Sequence, residues 1–172
     1  MTCDPVALMF FYLAPAGVLG VFVLAFIERV IPVIPSSALF TGIGMAAASG
    51  EAWCLPVAAL FAVLGSFVGA FGSFRLGGWV THGGLGAWGT EQFRRRNRRG
   101  ALLRQMRREG ATLPFTAQLI PTARILAPFL GGALGLKSRS FLWATFAGLA
   151  VWNLTFIAIG YTAAELEFGE NM

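Results

Sequence analysis

The sequence predicts an all-α integral membrane protein, one membrane domain over residues 1–172 with about three spanning helices and two interrupted segments. Three observations predict it. The chain is 56% hydrophobic and 12% charged, with a mean hydropathy of +0.70; a soluble domain carries about 25% charged residues. Uncharged runs cover 5–27, 30–50, 52–74 and 140–164, and roughly 20 apolar residues cross a hydrocarbon core about 30 Å thick. Finally, Arg124 is the only charge between Glu109 and Lys137, in an otherwise mostly apolar stretch. Such a charge costs about 2.5–3.5 kcal/mol at membrane depth even on the lenient insertion scale, so it normally faces a wet cavity or a partner.

Residues 6–29 read as a membrane helix. A cleaved signal peptide is not expected, because residues 1–5 carry no basic n-region. Residues 32–50 are apolar but interrupted, with Pro32 and Pro35 at the start and glycines further on. Residues 54–80 read as a second membrane helix, whose Gly65, Gly69, Gly72 and Gly77 permit close helix contact. Residues 91–109 form a basic cytoplasmic segment. Eight of the 13 basic residues fall in 94–108, as the positive-inside rule expects. They would also hold anionic lipid, at about 1 kcal/mol per side chain near the surface. No nucleic-acid partner is needed to explain them. Residues 112–136 repeat the interrupted character, with Pro121 and Pro128 breaking the helix around Arg124. Residues 140–162 read as the third membrane helix. Backbone that is broken at membrane depth is tolerated where it is buried or lines a cavity, so 32–50 and 112–136 read as re-entrant hairpins.

The two interrupted segments look like copies. Ile34-Pro35-Ser-Ser-Ala-Leu-Phe-Thr-Gly42 lies over Ile120-Pro121-Thr-Ala-Arg-Ile-Leu-Ala-Pro128, 86 positions later. After a gap, Gly65 and Gly77 lie over Gly148 and Gly160. Paired broken segments in two halves point to a transporter-type site. With the arginine block inside, the first hairpin opens outward and the second inward, as an inverted repeat requires.

Residues 25–162 resemble the DedA family, also called the VTT or SNARE-associated domain. One block is Glu28-Arg-Val-Ile-Pro32-Val-Ile-Pro35-Ser36-Ser37, similar to the family's E-x-x-x-P-x-x-P-S-E. Another is Gly65-Ser66-Phe-Val-Gly69-Ala70, leading to Phe74 and Gly77. The last is Phe115-Thr-Ala-Gln118-Leu-Ile-Pro121-Thr-Ala-Arg124, then Gly131-Gly132, Phe141, Gly148, Trp152-Asn153 and Gly160-Tyr161. Ser37 stands where the family usually has a second glutamate, Gln118 where it has the first arginine, Phe74 for a tyrosine and Gly78 for a basic residue. These departures speak against simply carrying over a proton-coupled mechanism.

The resemblance implies two oppositely oriented re-entrant hairpins packed by spanning helices, as an inverted repeat. It also implies lipid transport in the bacterial cytoplasmic membrane, with undecaprenyl phosphate as the leading substrate. The alternatives are a phosphatidylethanolamine flippase, a scramblase, and a non-transporting assembly factor. Elementary chemistry fits a phosphate-bearing lipid. Arg124 offers a bidentate fork to phosphate. Pro121 would expose a helix N-terminus, with Thr122 as its cap. Glu28 would balance Arg124, and Gln118 with Ser36 or Ser37 would add neutral hydrogen bonds.

Blander roles compete with these. Glu28 and Arg124 would serve equally as a structural ion pair, and Pro32, Pro35, Pro121 and Pro128 as shapers of the hairpins alone. Trp53, Trp143 and Trp152 read as belt or packing residues, His82 as a loop residue, and Asn153 as a bond between helices. Enzymatic chemistry lacks an inventory, with one histidine and only Glu28 as an acid near the polar segments. Cys3 and Cys54 have no metal-ligand spacing, and no cofactor is expected. The glycine-rich spans permit a homodimer.

Overall fold

The computed structural model describes residues 17–31, 35–48, 54–82, 112–120, 123–136 and 138–170. Among these are six helices and no strand: α1 Val18–Val30, α2 Ser36–Ala48, α3 Leu55–His82, α4 Thr112–Gln118, α5 Ala123–Ala133 and α6 Ser138–Glu170. The basic segment 91–109, Pro32, Pro121 and Thr122 lie outside the described residues. Among the described residues two helices are long and apolar enough to cross a membrane, with mean hydropathy 2.0 over Leu55–Val80 and 1.7 over Arg139–Glu167; residues 6–16 of the first expected membrane helix lie outside the described residues. Large apolar side chains face outward along both, among them Leu60, Trp79 and Trp143.

The helix ends follow from local chemistry. Approaching Pro32, Ile31 is extended at φ −122° and ψ 97°, because proline disfavours the helical conformation before it. Pro56 sits in the first turn of α3, where its missing N–H costs nothing. At the end of α5, Gly135 takes the left-handed conformation at φ 64°. Its N–H donates to the Gly132 carbonyl at 3.0 Å and that of Leu136 to the Gly131 carbonyl at 3.1 Å, a Schellman closure.

Two expectations are corrected. Pro128 lies inside α5 and does not end it. Proline there removes only its own bond to the carbonyl of Arg124, one turn from the helix start. Residues 36–48 of the first interrupted segment form one unbroken helix, so its glycines do not interrupt it. Gly44 serves packing: a Cβ there would collide with the backbone of Ile157 and Tyr161 on α6.

The chain divides into two compact units. Unit one holds α1, α2, residues 55–69 of α3 and residues 150–170 of α6. Its core joins Val21, Leu24 and Ala25 of α1, Leu39, Phe40 and Ile43 of α2, Ala58, Ala59 and Ala62 of α3, and Ile157 of α6. Unit two holds residues 70–82 of α3, α4, α5 and residues 138–149 of α6. There the rings of Phe74 and Phe141 stand 5.3 Å apart, and Gly131 of α5 is pressed against the Phe141 ring.

Candidate functional site

Each unit contains a helix, a short break and a second helix, with buried polar side chains flanking the break. In unit one the buried stripe of α1 runs Val21, Leu24, Ala25, Glu28. This i, i+3, i+4, i+7 spacing keeps one face inward, so the apolar stripe ends in a carboxylate. Glu28 is 1% exposed and its neighbour Arg29 is 2% exposed. Arg29 also lies in the last turn of α1, where a cation meets the negative end of the helix dipole. Beyond the break, α2 opens on Ser36, which heads a buried stripe of Leu39, Phe40, Ile43, Gly44 and Ala47. Ser37, beside it, is half-buried. Pro35 is exposed, and its carbonyl accepts from the Leu39 N–H at 3.1 Å.

In unit two, α4 buries Pro114, Ala117 and Gln118. The Arg124 N–H donates to the Ile120 carbonyl at 3.0 Å. Arg124 then heads the buried stripe Ala127, Pro128, Gly131 and Gly132 of α5, itself 2% exposed. Its position repeats that of Ser36 at the head of α2. The arginine therefore takes the place of a serine in an otherwise similar stripe. Glu28, Arg29 and Arg124 are the buried charges among the described residues, and none is without a partner. Glu28 belongs to unit one and Arg124 to unit two.

Hydropathy alone does not single out Arg29. The signal was present in Phe26-Ile-Glu-Arg29-Val-Ile-Pro32, which matches Phe115-Thr-Ala-Gln118-Leu-Ile-Pro121 at Phe, Ile and Pro, 89 positions apart. The packing repeats as well. A Cβ on Gly69 would lie 2.7 Å from Arg29 Cβ and 3.2 Å from the Phe26 carbonyl. A Cβ on Gly148 would lie 2.8 Å from both Gln118 Cβ and the Phe115 carbonyl. In each unit the stem of the polar residue before the break rests on a glycine of a long helix. The buried stripes of the second helices correspond at 88 positions, Ser36 with Arg124 and Gly44 with Gly132, rather than at the 86 of the Ile-Pro match, and one more residue separates α1 from α2 than α4 from α5.

Asn153 bonds between helices, its Nδ2 donating to Ser66 Oγ at 2.9 Å and to the Ala62 carbonyl at 3.3 Å within unit one. Trp143 is exposed on α6, and Trp152 packs on Phe156 with ring centroids 4.7 Å apart. No three of His, Cys, Asp and Glu gather to hold a metal among the described residues. A groove of about 590 Å³ runs beside Phe74, Arg75 and Trp79 on α3.

The model of the VTT domain matches residues 34–162 of the chain. No curated protein and no solved structure matches it.

Proposed function

The chain belongs to the VTT-domain, or DedA, family of membrane proteins, and from that premise we propose that it moves a phosphate-bearing lipid across the bacterial cytoplasmic membrane. Undecaprenyl phosphate is the leading substrate and phosphatidylethanolamine the alternative. The observation that carries the reading is Arg124, 2% exposed at the head of α5, immediately after a break in a helix pair. A guanidinium held there presents a planar fork to phosphate, and the first turn of α5 adds backbone N–H groups of the kind that favour anions. The breaks are read as the tips of two re-entrant hairpins related as an inverted repeat. Gln118 and Ser36 support the reading as buried neutral hydrogen-bonding residues beside those breaks, Ser37 and Thr122 as their polar neighbours, and Glu28 as a charge able to balance an arginine. The lipid tail stays in the bilayer and no covalent chemistry is assigned. The basic segment 94–108 is assigned to anionic lipid on the cytoplasmic side.

Vesicles with purified protein, loaded with labelled polyprenyl phosphate or labelled phosphatidylethanolamine, test the substrate. Faster exchange of the polyprenyl phosphate is expected. Equal exchange of both indicates a scramblase. Folded protein that exchanges neither indicates the assembly-factor role.

A further inference from the structure

Gln118 and Thr145 are both 0% exposed in unit two. Neither polar atom of the Gln118 amide, nor the Thr145 hydroxyl, meets a hydrogen-bond partner among the described residues. Leaving a buried donor or acceptor unmet costs about 1–3 kcal/mol, and folded proteins rarely do so.

The two residues share one seam. Gly148 of α6 is pressed against the stem of Gln118. Thr145 lies one turn before Gly148 on the buried stripe Phe141, Ala144, Thr145, Gly148, Leu149. Its hydroxyl is also set unlike those of other helical threonines. Thr116, Thr155 and Thr162 donate to the carbonyl four residues back at 3.0, 2.7 and 2.9 Å. That bond is open to any helical threonine. Thr145 does not make it, so its hydroxyl is turned from its own backbone while remaining buried.

Unit one offers the comparison. Ser66 lies one turn before Gly69, which rests on Arg29 as Gly148 rests on Gln118. The Ser66 hydroxyl is engaged inside the fold, accepting from Asn153 at 2.9 Å. Thr145 has no such partner among the described residues.

We propose that Thr145 and Gln118 bind phosphoryl oxygens of the lipid headgroup through neutral hydrogen bonds, which makes Thr145 a substrate-binding residue. The proposal rests on the lipid-transport reading above. Gln118 closes α4 two residues before Ile120, whose carbonyl accepts from the Arg124 N–H at 3.0 Å, so the neutral amide and the guanidinium lie six residues apart in the chain within unit two. A transported anion has to be released as well as bound. One cation assisted by neutral donors meets that requirement better than several cations.

The test is leaflet exchange of labelled polyprenyl phosphate and labelled phosphatidylethanolamine by the unsubstituted protein, Thr145→Val and Thr145→Ser, with a thermal melt of each. Valine keeps the shape and removes the hydroxyl. We expect Thr145→Val to slow exchange about tenfold, the scale of one hydrogen bond, to melt no lower than the parent, and to be restored by serine. The lipid that the parent moves and Thr145→Val slows is the source of the phosphate. Exchange at the parental rate in Thr145→Val overturns the proposal alone. So does a loss of exchange matched by a lowered melt, which would make the hydroxyl structural, as a bond to an ordered water would. No exchange by the folded parent overturns the transport reading and this proposal with it.

Discussion

Arg124 begins the buried stripe of α5 at a place where α2 begins with Ser36. That substitution of a full charge for a hydroxyl is costly unless the charge is used. On the transport reading, the charge alone is insufficient. Lysine keeps the charge but not the planar fork, so Arg124→Lys should retain only part of the leaflet-exchange rate in vesicles. Full activity in the lysine variant would reduce the role of Arg124 to a point charge. The sequence made Arg124 legible because nothing charged surrounds it. Arg29 was less legible because it ends a hydrophobic run beside Glu28, where hydropathy cannot tell an interfacial charge from a buried one. Thr145 carried no signal at all, since helical threonines usually satisfy themselves. Asn153 was legible as an interhelical bond, and it has a measurable consequence. Asn153→Leu should cost about 0.5–2 kcal/mol in an unfolding measurement, and most of that cost should vanish in a Ser66→Ala background.

At the scale of helices, close approach decides which glycines matter. Gly132 of α5 faces the backbone of Phe74 and Gly78 on α3, and Gly77 faces the backbone of Phe129 in return. A Cβ at Gly132 has no flexible neighbour to displace, so Gly132→Ala should destabilise by about 1–3 kcal/mol in a thermal or denaturant melt. Gly72 on the same helix α3 has nothing within 4 Å of such a Cβ. Gly72→Ala should therefore be neutral, or stabilising by up to about 1 kcal/mol. Equal effects at the two positions would contradict the close-contact account. The same distinction explains the limits of the sequence reading. In the sequence, glycine and proline read together as marks of interruption. Gly44 and Gly132 instead sit in unbroken helices at crossings with other helices. Pro128 is carried within α5, whereas the Ile-Pro steps at 31–32, 34–35 and 120–121 fall between helices in the sequence.

Over the whole molecule, apolar composition and long uncharged runs were enough to read a helical membrane protein, and two helices of spanning length follow from them. The chain divides into two compact units, each with helices on either side of an Ile-Pro step, and the 86-position match does not give the register of their buried stripes. Register depends on how each polar stem seats against a glycine of a distant helix, and local pattern does not encode that. The central claim is that the buried arginine of unit two handles the phosphate of a lipid in transit. The most direct measurement is leaflet exchange of labelled polyprenyl phosphate in vesicles carrying equal amounts of folded parent or Arg124→Ala. The account predicts exchange with the parent and a loss of about a hundredfold or more in the alanine variant, the scale of a buried charge-assisted contact. Exchange at the parental rate in a folded Arg124→Ala protein would contradict it.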